Sequence, residues 1–322
     1  MPSRYVIGID IGGTKLLAGL VDERLLVHQR LQRSMLGLDT AALLSTMQQV
    51  TEELINAAIG EVSAVGIGIP SLIDQRTGTS VEAVHLPLGG LRVQALVAER
   101  LPIPVYVDND GNCAMLGEHR AGAARGSRHA IFIGLGTGIS GGLVLDGHLY
   151  RGALGAGAEL GHMVIAQDGP PCHGNCPNHG CFEALTSGSA LRREAERIAA
   201  LRPGSELAVA QAAGRELEGA LVTELAHDGD SAAAEVIALI GERLGVGIAS
   251  LVNIFNPELV VVGGGVMAAG EMVLGPARAV VGARALPPSR DYARIVPAYL
   301  GSEAGMIGAA VLAFDGLARQ AS

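Results

Sequence analysis

The sequence predicts an α/β protein built from two related halves. Three observations support this. Short β-branched apolar runs alternate with stretches of helical periodicity along most of the chain. A strand, glycine-rich turn, strand pattern occurs near residue 12 and again near residue 138. Finally, 322 residues with 49% hydrophobic and 17% charged side chains suffice for about two packed domains and are too apolar for a disordered chain.

Taken in order, residues 5–9 and 16–21 are β-like runs joined through Gly12-Gly13-Thr14, the pattern of a hairpin. Asp39 is placed to cap a helix to about residue 59, with Leu43, Met47, Val50, Leu54 and Ala58 at helical spacing and Gly60 as its stop. Residues 65–69 form a short buried strand ended by Pro70. Residues 91–100 read as helix and 104–107 as strand, after which Asp108-Asn109-Asp110 opens a helix through about residue 119. Residues 130–133 and 142–145 flank the second glycine turn. A loop-rich stretch runs from about residue 152 to 181, and helices dominate residues 187–253. Pro257 ends the last of them, and strand 259–262 leads into Gly263-Gly264-Gly265.

Composition narrows the function. A net charge of −9 and a pI near 5.5 argue against a nucleic-acid or membrane-surface binder held by bulk charge. The first residues lack a signal-peptide pattern, and no apolar run of about 18 residues escapes glycine interruption. A cytoplasmic protein with no nucleic-acid partner and no membrane is expected. Glycine, at 46 residues, is about twice its usual share. The basic residues are arginines apart from Lys15, a pattern of GC-rich codon usage that makes the one lysine worth inspecting.

Lys15 closes the run Asp10-Ile11-Gly12-Gly13-Thr14-Lys15. Glycines let the backbone approach a phosphate with its N–H groups turned inward. Thr14 and Lys15 add a hydroxyl and a positive charge, and Asp10 at a strand end can hold Mg²⁺ directly or through water. The bland alternative is a hairpin turn with a solvated lysine. The second turn, residues 134–142, brings the amides of Gly136, Thr137 and Gly138 together. It is neither a Walker loop nor a dinucleotide fingerprint, because no Gly-Lys-Ser/Thr follows and the next element is a strand. With Gly264 and Gly265 it reads as a nucleotide cleft between two halves.

Asp110 follows a strand and begins a helix, where a carboxylate is usually a cap. The functional alternative is a base that accepts a hydroxyl proton during phosphoryl transfer, with Asn109 hydrogen-bonding the same substrate. Three of the four cysteines, Cys172, Cys176 and Cys181, lie within ten positions, with His162 upstream. Three thiolates and an imidazole make a closed, structural Zn²⁺ site. His173 and His179 compete with His162 for the fourth place on spacing alone. Cys113 sits on an apolar helical face and reads as core.

Together these motifs resemble the ROK family of bacterial sugar kinases. Asp10 to Lys15 match the family's D-x-G-G-T-K pattern, Asn109-Asp110 its N-D pair, and Gly136 to Gly142 its glycine turn. Residues 149–153 with Glu159-Leu160-Gly161-His162 look like its sugar and zinc segment, residues 172–183 like its cysteine signature, and residues 253–258 with Gly263–Gly265 like its adenosine-side segment. The resemblance implies an actin-like (ribonuclease-H-like) ATPase fold, with residues 1–110 plus 302–322 as a smaller domain and 111–301 as a larger one. A C-terminal helix, about residues 303–318, returns to the first. It also implies Asp110 as catalytic base, and Asn109, Glu159, His162 and Glu183 as sugar contacts. His162 would place one ring nitrogen on zinc and the other on the sugar. The activity implied is Mg²⁺- and ATP-dependent phosphorylation of a hexose 6-hydroxyl, glucose first, by a homodimer or homotetramer. Ser140, Pro70-Ser71, His85 and the longer spacing between Cys172 and Cys176 depart from the family pattern. The rivals are a kinase for N-acetylmannosamine, N-acetylglucosamine or fructose, a sugar-responsive repressor with an added N-terminal DNA-binding domain, and a non-catalytic sugar binder.

Overall fold

Each of the two glycine turns joins the first two strands of a five-stranded sheet. In the computed structural model, which describes residues 4–83 and 86–321 and so leaves His85 outside the described residues, the first half of the chain forms β1 (Arg4–Ile11), β2 (Lys15–Asp22), β3 (Val27–Ser34), α1 (Thr40–Ala57), β4 (Glu61–Ile69), β5 (Leu72–Asp74), β6 (Thr79–Glu82), α2 (Val93–Ala98), β7 (Val105–Asn109) and α3 (Asp110–Ala121). Then come β8 (Ala130–Leu135), β9 (Ile139–Leu145), β10 (His148–Leu149), α4 (Phe182–Thr186), α5 (Gly188–Leu201), α6 (Glu206–Ala212), α7 (Gly219–His227) and α8 (Ser231–Phe255). The chain ends with β11 (Leu259–Gly263), α9 (Glu271–Arg284), α10 (Ser289–Tyr292), β12 (Arg294–Pro297) and α11 (Ala304–Gln320).

The first sheet has the order β3-β2-β1-β4-β7 and the second β10-β9-β8-β11-β12. Each places its third, second, first, fourth and fifth strands side by side, so the repeat read from the two turns extends to a whole sheet. In the first sheet β1, β2 and β3 are antiparallel, and β4 and β7 run parallel to β1. In the second, β11 is parallel to both β8 and β12. β3 alternates half-buried with exposed residues, and most of its side chains are polar. That pattern suits an edge strand and hides it from a search for apolar alternation.

Two compact units result. The first contains Met1–Arg128, Gly142–Ala158 and Tyr299–Ser322, and the second His129–Gly141 and Glu159–Ala298. The first unit therefore continues past residue 110, because α3 packs along α11. In that unit, apolar residues of β1, β4 and β7 pack with Leu43, Met47, Val50 and Leu54 of α1 and with Val93 and Val97 of α2. The other face of the sheet meets α11 through Ala310 and Ala313. Asp39 caps α1 by accepting the Ala42 N–H at 2.8 Å, and the helix stops at Ala57. In the second unit, α8 is long and apolar enough by length and composition to cross a membrane. It carries Glu235, Glu242 and Arg243 and buries one face after another against its own unit, the behaviour of a core helix. Asn256, in the left-handed region at φ 45°, ends it just before Pro257.

In the first unit the backbones of α11, the sheet and α3 meet almost without side chains between them. A Cβ at Gly66 of β4 would overlap the Ala309 carbonyl, and one at Gly308 of α11 would overlap the Cys113 carbonyl of α3. Gly308→Ala should therefore lower unfolding stability by about 1–3 kcal/mol or more, the usual cost of overpacking. Gly282→Ala, exposed in α9 with open space around the added methyl, should raise it by about 0.5–1 kcal/mol. Denaturant unfolding of both variants checks this, and equal effects would contradict the packing described.

Candidate active site

The strand β7 delivers Asp108, Asn109 and Asp110 to the start of α3, and each has a different task. Asp108 is fully buried. Its carboxylate accepts from Arg151 Nε at 2.6 Å, Gln75 Nε2 at 3.1 Å, Asn112 Nδ2 at 2.9 Å and its neighbour's N–H, that of Asn109, at 2.8 Å. A buried carboxylate needs such a set, and losing the guanidinium partner typically costs about 3–5 kcal/mol. Asn109 is the N-cap of α3: its side-chain oxygen accepts the Asn112 N–H at 3.1 Å, and its amide donates to the Ser71 carbonyl. Asp110 is the first helical residue, and its carboxylate accepts the Gly111 N–H at 2.9 Å. Capping thus falls to Asn109 and leaves the Asp110 carboxylate available. Burial pushes the Asp110 carboxyl up, while hydrogen bonds from Gly111 and Asn109 pull it back.

Asp10, near the end of β1, belongs to the same unit. Its carboxylate lies against Gly305 in the first turn of α11, where a Cβ would collide with it. Burial pushes its pKa to about 7, the Asp110 charge adds to the rise, and Lys15 opposes it. A cation beside these carboxylates would be favoured for the same reasons. The hairpin between β1 and β2 is closed by the Gly12 N–H donating to the Lys15 carbonyl at 2.8 Å, and the Thr14 carbonyl accepts from Met35 N–H. Gly13, Thr14 and Lys15 are exposed at its tip. Gly12 thus spends its amide on closing the hairpin, with the exposed tip residues beyond that bond.

The second unit repeats this economy. Gly136 N–H is taken by the Gly138 carbonyl at 2.9 Å. The carbonyls of Gly136 and Thr137 accept from the Gly188 N–H at 2.8 Å and the Ser189 hydroxyl at 2.9 Å. Ile139 N–H donates to Glu183 Oε2 at 2.7 Å, and Glu183 Oε1 lies 3.6 Å from His173 Nδ1. Gly264, at φ +89°, lies so close to the Leu135 backbone that any side chain would collide, and Gly265 opens the short 3₁₀ turn after β11.

His162, Cys172, Cys176 and Cys181 bring one ligand atom each to within 4.8 Å of one another. Cys176 and Cys181 sulfurs are 3.9 Å apart, and Cys172 Sγ lies 3.5 Å from His162 Nδ1. A tetrahedron with metal–sulfur bonds near 2.3 Å has edges of about 3.8 Å, so the set fits a zinc-sized ion. Burial pushes the Cys172 and Cys181 thiols up, a shift that a bound cation would reverse. His162 turns Nδ1 to the sulfurs and Nε2 toward Glu159, 3.9 Å away. Of the competing imidazoles, His173 faces Glu183 instead.

Asp10, Asn109, Asp110 and the Gly12–Lys15 tip lie in the first unit, and Glu159, His162, Glu183, Gly136–Gly138, Gly264, Gly265 and the cysteines in the second. Sequence reasoning did not single out Asp108, Gln75, Asn112 or Arg151 as a network. The signal was an acidic residue inside an apolar strand, which calls for a partner without naming one 43 positions away.

The ROK family model matches residues 6–315. A glucokinase of Thermotoga maritima is 35% identical over 318 residues, 96% of this chain and 97% of the relative. The xylose repressor of Bacillus subtilis is 27% identical over 97% of this chain and 77% of its own length. Among solved structures, a ROK family glucokinase from Streptomyces griseus in complex with glucose and AMPPNP superposes with a TM-score of 0.87 at 34% identity, covering 97% of this chain and all of that one.

The raised Asp10 pKa has a consequence for stability. Between about pH 4 and 7 the folded chain holds a proton on Asp10 that the unfolded chain has released, so this group makes stability fall as pH rises through that window. In ligand-free protein, Asp10→Asn should raise the melting temperature at pH 8 and change it much less at pH 5. An equal shift at both would contradict the burial and repulsion assigned to Asp10.

Proposed function

This chain belongs to the ROK family, and from that membership we propose that it transfers the γ-phosphate of ATP to the 6-hydroxyl of a hexose, with glucose as the favoured sugar. It is a sugar kinase with the actin-like ATPase fold. The observation that carries the reading is the Asp110 carboxylate in the first turn of α3, where Asn109 does the capping and burial pushes the carboxyl up, the direction that strengthens a proton acceptor.

Asp110 orients the sugar hydroxyl and accepts its proton as the oxygen attacks the γ-phosphorus, while the bond from that phosphorus to the β–γ bridging oxygen breaks and ADP leaves. Phosphoryl transfer runs through a loose transition state, so alignment matters more than base strength. Asn109, Glu159, His162 and Glu183 are the proposed sugar contacts. The exposed tip Gly13-Thr14-Lys15 and the turn residues Thr137 and Gly138, with Gly264 and Gly265, are the proposed nucleotide contacts, and Gly12 and Gly136 shape those turns. Mg²⁺, held near Asp10, neutralises phosphate charge when bound. His162, Cys172, Cys176 and Cys181 would hold a structural Zn²⁺ that fixes the loop-rich segment from Glu159 to Cys181. A cytoplasmic homodimer or homotetramer completes the proposal.

The alternatives are a kinase for another hexose and a regulator, the latter favoured by the related repressors. The identity to a glucokinase and the intact Asn109-Asp110 pair support catalysis over regulation. An ATP-coupled assay across glucose, fructose, mannose, N-acetylglucosamine and N-acetylmannosamine should give glucose the highest kcat/KM, with the phosphate on O6. Turnover of none of them would overturn the reading. Metal analysis should find about one Zn²⁺ per chain, and a zinc-free protein that is fully active with Mg·ATP would remove the zinc role.

A further inference from the structure

The glycine turn between β8 and β9 is fastened by a single short stretch of chain that begins at a proposed metal ligand. Cys181 is followed by Phe182 and Glu183 at the start of α4, and Gly188 and Ser189 open α5. Glu183 Oε2 accepts the Ile139 N–H at 2.7 Å, Gly188 N–H donates to Gly136 C=O at 2.8 Å, and Ser189 Oγ donates to Thr137 C=O at 2.9 Å. With both carbonyls held, the Thr137 and Gly138 peptides have a fixed orientation. A second observation concerns shape. The Glu183 carboxylate fills the place where a Cβ of residue 138 would stand, so Gly138 is a glycine because Glu183 is there.

We infer that Glu183 is a positioning residue for this turn: by accepting the Ile139 N–H and packing on Gly138 it holds the neighbouring amides in the direction that receives a nucleotide phosphate. This rests on the reading of the turn as a phosphate site, and it gives Glu183 a task on the nucleotide side in addition to any contact with sugar. Because Glu183 lies two residues beyond Cys181, the metal-holding segment and the phosphate turn become parts of one structure within the second unit.

The test measures binding of Mg·AMPPNP and of glucose separately, by calorimetry, to the full-length protein. Glu183→Gln retains an oxygen that can accept from Ile139 and should keep nucleotide affinity within about threefold. Glu183→Ala loses that acceptor and should weaken Mg·AMPPNP by about tenfold, the scale of one charge-assisted hydrogen bond. Gly138→Ala should weaken nucleotide binding in the wild-type background, and much less when added to Glu183→Ala, because the group it collides with is gone. If Glu183→Ala does not fold, Glu183→Asp, which withdraws the carboxylate by one methylene, serves the same comparison. Wild-type nucleotide affinity in Glu183→Ala with weakened glucose binding would overturn the inference and leave a sugar contact alone. Additive losses from Gly138→Ala and Glu183→Ala would overturn it too. Failure of the wild-type protein to bind Mg·AMPPNP while still binding glucose would instead sink the phosphate reading beneath it.

Discussion

The first unit depends on direct backbone contact between α11 and the elements beneath it. Gly8 and Gly66 of the sheet and Gly117 of α3 lie under α11 carbonyls that any side chain would strike, and Gly308 of α11 lies on a carbonyl of α3. Close-packed interiors do not deform smoothly, so this contact sets where β1 and α3 end relative to α11. Those ends carry Asp10 and Asp110. Gly305 continues the pattern, since its bare backbone is what lets the Asp10 carboxylate rest on the first turn of α11. The high glycine content thus has a structural use beyond codon bias.

Charge is distributed as carefully as volume. Three carboxylates occupy the region of β1, β7 and α3, and only Asp108 has a full set of partners, with Arg151 as its counter-charge. Asp10 and Asp110 are both pushed up by burial, and Asp110 raises Asp10 further. Perturbed carboxylates that lack a fixed counter-ion mark functional ground, because a structural site would have been neutralised. Under the proposed function, a cation bound beside them would supply the counter-charge that the protein withholds.

Local signals in the sequence were legible where a residue's role is set by its chain neighbours. The two glycine turns, the Asp39 cap and the start of α3 at Asp110 needed only spacing and capping chemistry. The cysteines and His162 were also visible, yet the choice among three histidines required the fold, because ring direction is a tertiary property. β3 is not legible in the sequence, since its polar edge pattern carries no apolar alternation. Asp108 carries no local signal of its role, because its partners Gln75 and Arg151 reach it from far along the chain. The dual surroundings of Glu183 were hidden for the same reason: nothing local says that residue 183 will meet residues 138 and 139.

The central claim is that Asp110 takes the hydroxyl proton and Asn109 does the capping. Asp110→Asn separates the two roles, because Asn keeps the shape and would serve nearly as well in a merely structural place at the helix start. Steady-state kinetics with ATP and glucose should show kcat falling by about 10²–10⁴-fold, the usual worth of general-base assistance. Glucose affinity, measured by calorimetry on the same preparation, should fall only modestly. An Asp110→Asn enzyme whose kcat stays within a few-fold of wild type would contradict the account and return Asp110 to a structural role.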